Sequence, residues 1–136
     1  MDIKSDNTFY FDDKAADRVV YFIENHIRHL KGELGGTSFK LEPFQKKIVR
    51  DLFGWKYRTT ELRRFRTAYI CLPRKNGKST LISAIALYML LADGEPSAEC
   101  YVAAGDRSQA NIIFEVASGM VRADKQLVNN LQVFKN

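Results

Sequence analysis

The chain has 136 residues, 46% of them hydrophobic, and a formal net charge of +5. That length suits one ordinary domain with enough apolar material for a single buried core. Its longest apolar run, residues 81–92, is interrupted by Ser83 and followed by Asp93, short of the ~20 residues that cross a bilayer, so no membrane span is expected.

At the start, residues 1–11 carry Asp2, Lys4 and Asp6 without an apolar stretch, so neither a secretory signal nor a transit peptide is expected, and the cytoplasm is the default location. From 12 to 31, Ala16, Val19, Val20, Ile23, Ile27 and Leu30 recur at three- and four-residue steps, which predicts a helix capped by Asp12 or Asp13. His26 and His29 lie in it with no partner cluster for a metal and are expected at the surface. Gly32, Gly35 and Gly36 end it. A second helix is predicted over 42–53, with Pro43 in its first turn, Gly54 after it, and Phe44, Ile48 and Leu52 as the buried stripe, leaving Gln45 off that face. Residues 56–64 read as an exposed basic loop.

The pattern then changes. Residues 67–72 form a short β-favouring run closed by Pro73, predicted as a strand buried on both faces. Residues 78–91 are apolar almost all round, predicting a core helix. A turn at 93–97 leads to a second short strand over 100–104, then to a helix from Asp106 or Ser108 to about Val121, with Ile113, Val116, Ala117 and Met120 inward. Residues 127–134 suit a strand or a helix equally. Cys71 and Cys100, each in one of the apolar runs, are expected as small buried side chains rather than a redox pair. Strand, helix, strand, helix implies a right-handed parallel α/β unit.

Charge is uneven. Lys56, Arg58, Arg63, Arg64, Arg66, Arg74, Lys75 and Lys78 cluster between 56 and 78 with only Glu61 against them, which suits nucleotide phosphates, a DNA backbone or both, although many charge runs are simply solvated faces. Within that block, Leu72, Pro73, Arg74, Lys75, Asn76, Gly77, Lys78, Ser79 and Thr80 stand between predicted strand and helix. A tight loop there aims backbone N–H groups at phosphate oxygens, the helix N-terminus adds partial positive charge, and Lys78 reaches the β- and γ-phosphates. Gly77 allows close backbone approach, and Ser79 is placed to hold Mg²⁺. The common pattern G-x-x-x-x-G-K-[ST] begins with a glycine, whereas Leu72 stands at that position here.

F-K-L-E-P-F-Q at 39–45, F-G-W at 53–55, R-R-F at 63–65, P-R-K-N-G-K-S-T at 73–80 and G-D-R-S-Q-A at 105–110 together resemble the ATPase end of tailed-phage terminase large subunits. In that family the phosphate loop lacks the first glycine and reads R-K-x-G-K-[ST]. The resemblance implies that Lys78 and Ser79 bind phosphate and Mg²⁺, that Gln45 contacts the adenine edge, and that Arg74 stabilises γ-phosphate charge. It places Lys75, Asn76, Gly77 and Thr80 in the ATP-binding loop, leaves Arg63, Arg64 and Arg66 without an assigned role, open between structural pairing and DNA contact, and implies ATP and Mg²⁺ as cofactors. Double-stranded DNA, a terminase small subunit and a portal protein are the implied partners, around a homo-oligomeric ring.

The resemblance also demands a Walker B strand, an apolar run ending Asp-Glu, and a carboxylate-rich nuclease; neither occurs in these 136 residues, so the sequence reads as a fragment, inactive alone as an ATPase. The expected architecture is an N-terminal helical segment at 1–38, then an incomplete P-loop ATPase domain at 39–136 with a RecA-like parallel sheet and flanking helices. A helicase-like ATPase and a non-catalytic piece binding DNA or a partner are the alternative readings.

Overall fold

The computed structural model describes residues 7–134, so the outermost residues of both expected domains, 1–6 and 135–136, lie outside the described residues. Two compact units are present. The first runs to Tyr21 and resumes over Leu41–Cys71; the second comprises Phe22–Lys40 and the chain from Leu72 onward.

In the first unit, β1 (Phe9–Phe11) pairs antiparallel with β2 (Trp55–Tyr57), with Phe9 opposite Tyr57 and Phe11 opposite Trp55. Their rings meet at 4.8 and 5.3 Å between centroids, the cross-strand aromatic pairing that holds so short a ribbon together. Within the expected basic loop, an isolated antiparallel bridge joins Arg63 to Lys56. Helix α1 (Asp13–His26) opens on Asp12, whose carboxylate accepts the Ala15 N–H at 3.0 Å and pairs with Lys56 at 2.6 Å. That helix stops five residues short of position 31, the end expected from its periodicity.

Helix α2 (Pro43–Gly54) has its proline in the first turn, as expected. Its buried row is Gln45, Val49 and Phe53, with Leu41 buried just ahead of the helix, while Phe44 is 40% exposed. The expected stripe of Phe44, Ile48 and Leu52 is therefore displaced by one residue. The reason lies in Gln45, whose Oε1 accepts the Glu42 N–H at 2.9 Å across the helix start. With its acceptor satisfied there, a carboxamide can take an inward position that hydropathy alone assigns to its neighbours. At the end of α2, a Cβ on Gly54 would stand 2.4 Å from the Phe11 ring, so glycine lets β1 close on the helix.

The second unit is built on α3 (Lys78–Leu91), which has the bounds read from sequence, packed against α4 (Arg107–Ala123). Leu81, Ala84, Leu87 and Tyr88 are buried on α3, and Met120 and Val121 on α4; each fully buried large side chain contributes about 1.5–3 kcal/mol. Ile113, Val116 and Ala117 are only half-buried. Asp106 caps α4 by accepting the Gln109 N–H at 2.9 Å. Asp124 caps α5 (Lys125–Asn130) through the Gln126 and Leu127 N–H groups, both at 3.0 Å, so the ambiguous last segment begins as helix. The two histidines, expected at the surface, are half-buried instead: His29 lies edge-on to Phe39 and His26 beside Phe22.

The expected strands at 67–72 and 100–104 have no ladder partner, and the sheet among the described residues is the antiparallel β1–β2 pair. Tyr69 is 92% and Tyr101 86% exposed, and Cys71 and Cys100 are exposed rather than buried. An apolar run in a strand gains full burial only when neighbouring strands and helices cover it, and among the described residues neither segment has a strand paired to it.

Candidate phosphate-binding site

The loop ahead of α3 has a backbone few sequences adopt. Lys75 has φ of 66° and Gly77 φ of 68°, both in the left-handed region, which costs a residue with a Cβ roughly 1–2 kcal/mol and glycine almost nothing. Gly77 is the N-cap of α3 and supplies no side-chain acceptor. The first-turn N–H groups of α3 therefore have no capping side chain, and with the helix dipole they make an anion-seeking end. Asn76 braces the turn by donating from Nδ2 to the carbonyls of Pro73 and Arg74 at 3.1 and 3.4 Å. Those two oxygens are thereby engaged within the loop.

Arg74, Lys75 and Lys78 are exposed, and Asn76, Ser79 and Thr80 are half-buried. Among the described residues, none of the three cations pairs with a carboxylate, although Lys47, Arg50 and Lys56 elsewhere all do. Three like charges within five positions repel one another unless an anion sits among them. The donor set fits a polyphosphate: N–H groups at a helix start, two left-handed residues bending the loop, and cations without internal partners. Ser79 offers one oxygen to a divalent ion, and no cluster of three metal-binding side chains exists among the described residues.

Gln45 stands in the first unit, 3% exposed, on the buried row of α2. A cavity of about 300 Å³ lies in the second unit but is lined by Phe22, His26, Leu91, Ala92, Gln126, Leu127 and Asn130, with no residue of the loop. Sequence reading gave Arg63 and Arg64 no role; here the Arg64 guanidinium lies 4.1 Å from the Phe9 ring centroid and 5.1 Å from that of Phe65, and Arg63 lies 5.2 Å over Phe53. The available signal was Phe9 itself, three residues of strand too short to show alternation.

The family model for the ATPase domain of the terminase large subunit matches residues 43–136, a stretch that holds the whole loop. The chain belongs to that family. It is 31% identical over 113 residues to the terminase large subunit of Enterobacteria phage HK97, covering 82% of this chain and 21% of that protein. The crystal structure of the HK97 bacteriophage large terminase superposes with a TM-score of 0.67 at 27% identity, over 89% of this chain and 23% of the other. The chain thus spans about a fifth of the length of the terminase relatives it matches. No described helix is long and apolar enough to cross a membrane.

Proposed function

We propose that residues 72–80 bind the β- and γ-phosphates of ATP and that the chain is the ATP-binding part of a phage DNA-packaging motor. The observation that carries this is the loop itself: left-handed Lys75 and Gly77, an uncapped start of α3, and three cations without carboxylates. In this reading Lys78 contacts the β- and γ-phosphates, Arg74 offsets γ-phosphate charge, and Lys75, Asn76, Gly77 and Thr80 shape or line the cradle. Ser79 would hold Mg²⁺, which when bound neutralises charge between the β- and γ-oxygens. Gln45 reads the adenine edge, a task its carboxamide suits by donating and accepting at once.

Residues 39–136 form the ATPase portion and 1–38 a helical lead-in; the family match from residue 43 supports that division. We assign 67–72 and 100–104 to a RecA-like parallel sheet whose remaining strands belong to other parts of the full-length protein. Their apolar but uncovered side chains support this, as does the half-exposed second face of α3 at Ile82, Ile85, Met89 and Leu90. The assembled motor hydrolyses ATP to move double-stranded DNA into a procapsid, working as a ring with a small subunit and a portal in the host cytoplasm. No apolar run ending Asp-Glu occurs in these residues, so ATP binding is assigned to this stretch and turnover to the intact protein.

The test is an ATP titration of wild type and Lys78→Ala. Loss of one charge-assisted phosphate contact costs about 1.5–3 kcal/mol, roughly ten- to more than a hundredfold in affinity, with far-UV circular dichroism unchanged. Equal affinities would remove the assignment of the loop.

A further inference from the structure

Asparagine carries two donor hydrogens on one nitrogen, and Asn76 turns that nitrogen back onto the main chain before it. Its Nδ2 donates to Pro73 O at 3.1 Å and to Arg74 O at 3.4 Å. No cis peptide bond occurs among the described residues, and in a planar trans peptide the N–H points opposite to the C=O. Fixing the Pro73 and Arg74 carbonyls toward Asn76 therefore turns the N–H groups of Arg74 and Lys75 to the other side of the loop. Between these peptides and α3 the chain needs a left-handed Lys75, with φ of 66°. A Cβ makes that region unfavourable, by roughly five- to thirtyfold in population for an isolated residue. Something must hold Lys75 there, and the Asn76 side chain grips the peptide that leads into it.

We propose that Asn76 is a positioning residue that sets the phosphate loop in its binding conformation before any anion arrives, acting through the backbone and not by touching the ligand. This rests on the phosphate-binding reading of residues 72–80. A ligand that needs one conformer binds with an apparent affinity scaled by the population of that conformer, so a brace on the loop strengthens binding without a contact of its own. It also keeps two carbonyl oxygens, which would repel phosphate oxygens if their peptides turned over, engaged on the far side of the loop. Such a brace acts on the phosphate chain alone. ATP and inorganic triphosphate should feel its loss alike, which sets Asn76 apart from a residue that reads the base.

Calorimetric titration of the full chain with inorganic triphosphate and with ATP tests the proposal, with far-UV circular dichroism to check that each variant folds. Asn76→Ala should weaken both ligands by the same factor, roughly five- to thirtyfold. Lys75→Gly and Lys75→Ala both remove the cation, but only glycine enters the left-handed region freely. With Asn76 in place, these two should bind triphosphate within about twofold of each other; combined with Asn76→Ala, the glycine variant should bind roughly five- to thirtyfold tighter than the alanine one. An Asn76 that merely contacted phosphate would leave that ratio the same in both backgrounds. Such a result would overturn the proposal, as would unchanged affinity in Asn76→Ala or a loss confined to ATP. Asn76→Leu, which keeps comparable bulk without the donors, takes the place of Asn76→Ala should that variant unfold. Lys78→Ala separates the brace from the reading it rests on. A wild-type chain that binds no triphosphate, or a Lys78→Ala chain that binds it equally well, removes the phosphate loop and the role of Asn76 together; Lys78-dependent binding that ignores Asn76 removes the brace alone.

Discussion

Gln45 is placed under two demands by its position. Its Oε1 accepts the Glu42 N–H at 2.9 Å, which fastens the start of α2, and the proposed adenine-reading role would need the same carboxamide. Gln45→Ala should therefore lower stability by about 1 kcal/mol, as loss of a helix-start contact does, and should weaken ATP while leaving inorganic triphosphate unchanged. Affinities taken well below the melting temperature separate the two effects; equal losses for both ligands would leave Gln45 with the structural role alone. At the scale of single residues, the motif that marks the family was more legible than burial. The loop from Arg74 to Thr80 is recognisable because its residue types are few and ordered. The burial of Gln45 was hidden because a hydropathy pattern treats every glutamine as outward, and it contains no sign that a side chain will satisfy itself on its own helix. The exposure of Cys71 and Cys100 was hidden for the opposite reason, since an apolar run does not say whether anything covers it.

Among the elements, α3 was legible to both ends because a glycine that tolerates the left-handed region precedes it and a turn follows it. Helix α1 was read too long, its apolar spacing continuing through Ile27 after the helix has ended at His26. The β1–β2 ribbon went unseen because three residues per strand carry no measurable period. Asp12 ties these pieces together, capping α1 and pairing with Lys56 on β2. The Lys56 ammonium, and after it the Ala15 N–H, hold its carboxyl below the ordinary value of 3.8. A carboxyl with a depressed folded value stabilises the fold above its unfolded value and loses that contribution as pH falls through the folded one. Asn retains a cap acceptor, so Asp12→Asn isolates the ion pair. Its stability deficit should be about 0.5–1 kcal/mol at pH 7, hold down to about pH 5, and close below about pH 4. Urea unfolding at each pH checks this, and a deficit equally large at pH 3 would mean that the ion pair is not its source.

For the molecule as a whole, the family model matches residues 43–136, and the chain spans about a fifth of the length of the HK97 terminase. Phosphoryl transfer depends on positioned metal, water and charge, and no Asp-Glu pair ends an apolar run in this sequence. A phosphate-release assay on the chain alone should give no turnover that Lys78→Ala abolishes; Lys78-dependent turnover of several per second would mean that a catalytic carboxylate lies within these residues. The parallel sheet was inferred from strand and helix order, and order alone cannot supply the neighbours a strand needs to be buried. The proposed phosphate cradle asks for less, since one loop and one helix start would compose it. Amide hydrogen exchange with and without Mg-ATP reads those N–H groups directly. The expected result is slowed exchange across residues 74–80 in wild type and none in Lys78→Ala, and unchanged exchange there at saturating ATP would contradict the account.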